Sequence, residues 1–102
     1  MGEFVTVTAA SEIPENQGKV CEVRGKEIAF FNVGGTFCAI ANSCPHRGGP
    51  LGEGALEAGI VTCPWHGWEF DVRTGVSPVN PAASIQKFNC RVERGELLVE
   101  VD

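Results

Sequence analysis

The sequence predicts an all-β fold, arranged as one domain over residues 1–102. Two observations carry that prediction. Short runs rich in Val, Ile, Phe and Thr recur along the chain, and Gly- or Pro-containing turn signals interrupt them. Taken in order, strands are expected at 4–8, 19–23, 27–33, 36–41, 60–62, 68–72, 84–93 and 97–101. Gly34-Gly35 lies between two of these runs and marks a hairpin, because paired glycines accept the positive φ angles of a two-residue turn. Arg24-Gly25 and Arg94-Gly95 mark two further tight turns, and Pro14 marks a loop after Ser11-Glu12-Ile13.

Two segments break the strand pattern. Residues 42–53 carry Pro45, Gly48, Gly49, Pro50 and Gly52, and residues 63–67 read Cys-Pro-Trp-His-Gly. Both are rich in residues that fix or permit unusual backbone angles. They are expected as two loops at one end of a β scaffold, an arrangement in which rigid strands present functional residues.

Composition excludes several classes of function. The apolar share is 43%, which is globular rather than disordered. The N-terminus has no basic region followed by an apolar stretch, and Met1-Gly2 lacks the context of an acylation signal. The longest clean apolar run, Ile28-Ala29-Phe30-Phe31, is too short to span a bilayer, so no membrane association is expected. A net charge of −5 argues against nucleic acid as a partner, since phosphate contacts need Lys and Arg. It suits a protein partner with a basic docking patch, and equally it suits mere solubility. An odd count of five cysteines without a secretory signal argues against a disulfide framework and for the cytoplasm.

The chain has only two histidines, and each lies beside a cysteine: Cys44-Pro45-His46 and Cys63-Pro64-Trp65-His66. Two thiolates and two imidazoles form a complete ligand set for a metal centre. A single zinc ion would take all four tetrahedrally, giving a structural staple with no redox role. Zinc sites commonly pair like with like along the chain, however, and here each pair mixes Cys with His. Mixed pairs suit a [2Fe–2S] cluster, with Cys44 and Cys63 on one iron and His46 and His66 on the other. Ferric ions, sulfides, thiolates and neutral imidazoles then sum to roughly zero charge. Such a site accepts an electron more easily than an all-cysteine cluster.

Cys44-Pro45-His46-Arg47-Gly48-Gly49-Pro50-Leu51 and Cys63-Pro64-Trp65-His66-Gly67-Trp68 resemble the two cluster-binding boxes of Rieske-type proteins, with sixteen residues between His46 and Cys63. The rest of the chain is compatible with the family over nearly its whole length. The resemblance implies stacked antiparallel sheets with a small cluster-binding subdomain at about residues 42–71. Respiratory and photosynthetic members carry an extra cysteine in each box, joined as a disulfide. Gly49 and Trp65 stand at those places here. Those members also use a serine and a tyrosine after the second box to donate hydrogen bonds to sulfur. Here Trp68 and Phe70 stand there, and the chain has no tyrosine. Fewer donors to sulfur lower the potential. The chain thus resembles the low-potential Rieske-type ferredoxins of ring-hydroxylating dioxygenase systems. Its expected potential is at the low end of the Rieske range of about −150 to +300 mV.

That resemblance implies a soluble, monomeric one-electron carrier that docks transiently with a flavin-dependent reductase and a terminal oxygenase. The alternative is a small Rieske subunit of a nitrite reductase-like enzyme, stably bound to a larger chain. Catalysis by this chain alone is not expected. Both histidines are committed to the cluster, so neither a mononuclear iron site nor a Cys–His or Ser–His dyad has a histidine left. Gly48, Gly49 and Gly67 are candidates for presenting backbone N–H groups to sulfide, or simply for making turns. Pro50-Leu51 would cover the cluster or serve as loop packing, and Trp65 and Trp68 would shield the cluster, form the docking surface or serve as ordinary packing. Cys21, Cys38 and Cys90 fall in expected strands and read as buried small hydrophobes. Arg47, beside a ligand, reads as a solvated charge, with contact to a partner as the alternative.

Overall fold

A computed structural model describes residues 2–42, 51–65, 67–79 and 83–101. Ten strands form among these residues: β1 (Glu3–Ala9), β2 (Gly18–Val23), β3 (Lys26–Val33), β4 (Thr36–Ala41), β5 (Ala55–Glu57), β6 (Ile60–Thr62), β7 (Glu69–Asp71), β8 (Lys87–Phe88), β9 (Cys90–Glu93) and β10 (Glu96–Val101). The described residues include no α-helix, only 3-10 turns at Ala10–Glu12 and Leu51–Glu53. The strands build three antiparallel sheets, ordered β1-β10-β9, β2-β3-β4-β8 and β5-β6-β7. This is the all-β stack of antiparallel sheets expected from the sequence.

β3 shows how the layers are held. Ile28, Ala29, Phe30 and Phe31 all have 0% exposure. Successive residues of a strand point to opposite faces, so an unbroken apolar run means that both faces are covered. Ala29 and Phe31 join one core cluster with Cys38, Ile40, Leu51, Val61, Cys63, Phe70 and Val72. Ile28 and Phe30 join the other with Ala39, Phe88, Leu97, Val99 and Val101. The β2-β3-β4-β8 sheet is therefore the middle layer. The small β5-β6-β7 sheet covers one face, and the β1-β10-β9 sheet covers the other. Each fully buried Phe or Leu side chain contributes roughly 1.5–3 kcal/mol. Removing one from either interface therefore loosens two layers at once.

Four hairpins use the same turn. Val23 pairs with Lys26, Val33 with Thr36, Glu57 with Ile60 and Glu93 with Glu96, which leaves two-residue loops. Both loop residues have positive φ in each case: Arg24-Gly25 at 51° and 80°, Gly34-Gly35 at 59° and 93°, Ala58-Gly59 at 53° and 82°, Arg94-Gly95 at 53° and 78°. That is the primed turn whose twist matches the flanking strands. The Ala58-Gly59 turn and strand β5 were not expected from the sequence.

The expected single strand at 84–93 is two strands in different sheets. β8 pairs with β4 in the middle layer, whereas β9 pairs with β10 in the outer layer. The chain changes layer at Asn89. Its carbonyl accepts the Glu100 N–H at 2.8 Å, and its side chain donates to Glu100 Oε1 at 3.0 Å. Phe88 before it and Cys90 after it both pack on the core between the middle and outer layers.

One buried polar side chain fixes the loop before β2. Asn32 is 8% exposed. It donates from Nδ2 to the Ile13 carbonyl at 2.8 Å and accepts the Gly35 N–H on Oδ1 at 2.8 Å.

Candidate metal centre

Of the four proposed ligands, Cys63 is described; Cys44, His46 and His66 lie outside the described residues. Cys63 follows β6 directly, is 2% exposed and belongs to the core cluster between the middle and small sheets. Its N–H donates to the Trp68 carbonyl at 2.7 Å, and its carbonyl accepts the Gly67 N–H at 3.0 Å. These two bonds close the second box into a tight turn between β6 and β7. Gly67 has φ 74° with open space where a Cβ would stand. That backbone angle and its N–H bond to Cys63 give Gly67 a role in the turn.

Trp65, inside that turn, is 57% exposed. Trp68 lies half-buried against the core with its ring centroid 6.4 Å from that of Phe70. Phe70 itself is fully buried and offers no donor.

The first box is described at its two ends. Arg47, Gly48, Gly49 and Pro50 lie outside the described residues, as do its two ligands. Before the segment, Asn42 is 6% exposed and donates its N–H to the Glu27 carbonyl of β3 at 3.1 Å. After it, Leu51 is fully buried in the same core cluster as Cys63. The Asn42 carbonyl accepts the Leu51 N–H at 2.8 Å, and Asn42 Oδ1 accepts the Gly52 N–H at 2.8 Å. The exit of the first box and Cys63 of the second are thus packed into one core. The sequence reading missed Asn42 and Gly52. The available signal was an asparagine at the end of an apolar strand just before a Pro/Gly-rich loop, where its side chain competes for backbone groups.

The remaining described cysteines are free thiols. Cys38 is buried as expected, whereas Cys21 and Cys90 are half-buried. Burial pushes the Cys90 thiol up to about 11, with Cys38 adding to the shift and Lys87 opposing it. Burial also raises Cys38, against the opposing charges of Arg73 and Lys87 and with Asp71 adding. Cys21 is raised by burial and opposed by Lys19. Thiols held protonated are poor metal ligands and poor nucleophiles. The donor set of the boxes, two thiolates and two imidazoles, has the composition that a Rieske cluster requires.

Comparison with known proteins agrees. The Rieske [2Fe-2S] domain family matches residues 3–89. The ferredoxin component of the naphthalene 1,2-dioxygenase system of Pseudomonas aeruginosa is 30% identical over 100 residues, covering 97% of this chain and 96% of its own length. Apoptosis-inducing factor 3 of Mus musculus is 32% identical over 95 residues, 92% of this chain, but the chain spans only 16% of that protein. Among solved structures, a chain in the complex of reduced oxygenase and oxidized ferredoxin in carbazole 1,9a-dioxygenase superposes with a TM-score of 0.87 at 30% identity, covering 95% of this chain and 92% of that one. With the sheet stack, the donor set and the family match in agreement over residues 3–89, this chain belongs to the Rieske [2Fe–2S] domain family, whose members carry a [2Fe–2S] cluster.

Proposed function

We propose that the chain is a soluble one-electron carrier, which takes electrons from a flavin-dependent reductase and delivers them to a terminal oxygenase. The observation that carries this reading is that the naphthalene dioxygenase ferredoxin component matches along 96% of its own length. The likeness is therefore to a free-standing ferredoxin, not only to a module of a larger enzyme. That relative's 30% identity, under the name of a ferredoxin component, favours this role over that of a small subunit of a nitrite reductase-like enzyme. Cys44 and Cys63 hold one iron of the cluster, and His46 and His66 hold the other. The cluster supplies the reversible uptake of one electron, and the chain supplies ligands, burial and a docking surface. Residues 1–102 act as one domain, with residues 42–71 as the cluster-binding subdomain. Cys63 and Leu51 tie that subdomain to the middle sheet.

The partner contacts are transient, the chain is a monomer and its setting is the cytoplasm. Among the described residues no helix is long and apolar enough to cross a membrane. Phe70, buried and without a hydroxyl, supports a potential at the low end of the Rieske range.

Anaerobic mixing tests the reading. The dithionite-reduced chain, freed of excess reductant, is mixed with the oxidised oxygenase component of a ring-hydroxylating dioxygenase, and the visible spectrum is followed. One electron should leave each chain, at a rate that saturates with oxygenase. A chain that holds its electron against the oxygenase, and purifies only with a large partner subunit, belongs to the alternative.

A further inference from the structure

We propose that Asn42 is a positioning residue for the cluster: with Gly52 it forms a lock that holds the two ends of the first ligand box together and anchors them to the middle sheet. This inference rests on the reading of Cys44 and His46 as ligands.

Three hydrogen bonds converge on one residue. The Asn42 carbonyl accepts from Leu51 at 2.8 Å, its Oδ1 accepts from Gly52 at 2.8 Å, and its N–H donates to Glu27 at 3.1 Å. The side chain is 6% exposed, so these bonds form away from competing water. Gly52 is shaped to fit the lock. A Cβ there would overlap Val20 Cγ2 on β2 and approach Asn42 Oδ1 to 3.1 Å. The N–H can reach Asn42 only because that space is empty. Leu51, between the two partners, is fully buried beside Cys63.

The consequence follows from geometry. A four-ligand cluster shared by two boxes binds well only if the boxes keep a fixed separation. The second box is fixed by its own turn at Cys63 and Trp68. The first has its ligands in the segment 43–50, whose two ends meet at Asn42. Closing those ends in the folded chain removes the loop freedom that cluster binding would otherwise have to restrict. Groups that orient metal ligands in this indirect way typically affect metal affinity about 10- to 100-fold when removed.

The test compares the cluster-loaded protein with Asn42→Ala, Asn42→Asp and Asn32→Ala. Asn32 serves as the control because it too is a buried asparagine that hydrogen-bonds backbone through its side chain, but its two side-chain bonds serve the Ile13 and Gly35 loops. The readouts are the rate of visible bleaching under an iron chelator, the electron paramagnetic resonance line shape of the reduced cluster, and the thermal midpoint. Asn42→Ala should lose its cluster at least about tenfold faster and broaden the resonance. Asn42→Asp keeps an oxygen acceptor at the same reach and should restore the lifetime to near that of the wild type. Asn32→Ala should lower the midpoint while leaving the line shape unchanged. A wild-type lifetime in Asn42→Ala, no rescue by Asp, or equal line-shape changes in the Asn32 variant would overturn the proposal. If Asn42→Ala does not fold, hydrogen exchange in the wild-type holoprotein decides. Slow exchange at Leu51 and Gly52 supports the lock, and exchange at unprotected rates refutes it. A wild-type chain with no Rieske resonance would instead refute the ligand reading itself.

Discussion

Cys63 carries two duties, since the side chain proposed to bind iron is also 2% exposed in the core beside Val61 and Phe70. Cys63→Ser should therefore act twice. It should abolish the visible cluster spectrum, and it should destabilise the cluster-free chain by about 1–3 kcal/mol, because a hydroxyl replaces a thiol in apolar surroundings. Iron content and urea unfolding of the cluster-free variant measure the two effects separately. The four ligand candidates were legible because metal binding demands rare residue types at short spacings. Asn42 was not legible, because its partner Gly52 is ten residues away and asparagine is common in loops.

Cys90 offers a titration test at the same scale. Its thiol stays protonated to about pH 11 in the folded protein, whereas the unfolded chain releases the proton near the ordinary value of 9.0. The folded state then binds more protons across that window, so stability falls as pH rises from about 9 to 11. Urea midpoints measured across this range should decline, and Cys90→Val should lessen the decline.

Among the elements, the hairpins separate what sequence could and could not reveal. Gly34-Gly35, Arg24-Gly25 and Arg94-Gly95 were readable because each lies between two clear apolar runs. Ala58-Gly59 makes the same turn, but β5 before it is only three residues, and Gly52 and Gly54 mask it as loop. Strand β9 was fused with β8 because a single asparagine, Asn89, is the one local mark of the change of sheet, and its partner Glu100 is eleven residues away. Ala58 adopts φ 53°, an angle that costs a residue with a Cβ about 1–2 kcal/mol. Asn tolerates it, so Ala58→Asn should raise stability by about 0.5–1 kcal/mol without touching the core, as read from urea denaturation. An unchanged or lowered midpoint would show that the turn is not under strain.

Across the whole molecule, the middle sheet divides two jobs between its faces. Phe30 faces the terminal β1-β10-β9 layer, and Phe31 faces the layer that carries Cys63. Phe30→Ala and Phe31→Ala should each cost about 3–5 kcal/mol in unfolding free energy. Only Phe31→Ala should also speed cluster loss, because its cavity opens beside Leu51 and Cys63. The all-β class was legible from the alternation of short strands and turns. The layer order was not, because β1 pairs with β10 from the opposite end of the chain, and such pairing leaves no local trace. The central claim, mixed cysteine and histidine ligation of a two-iron cluster, is tested most directly by electron paramagnetic resonance on the anaerobically purified, dithionite-reduced protein together with its metal content. The account predicts two irons per chain and a resonance whose average g value lies clearly below that of all-cysteine [2Fe–2S] clusters. A colourless protein holding one zinc ion and giving no resonance would contradict it.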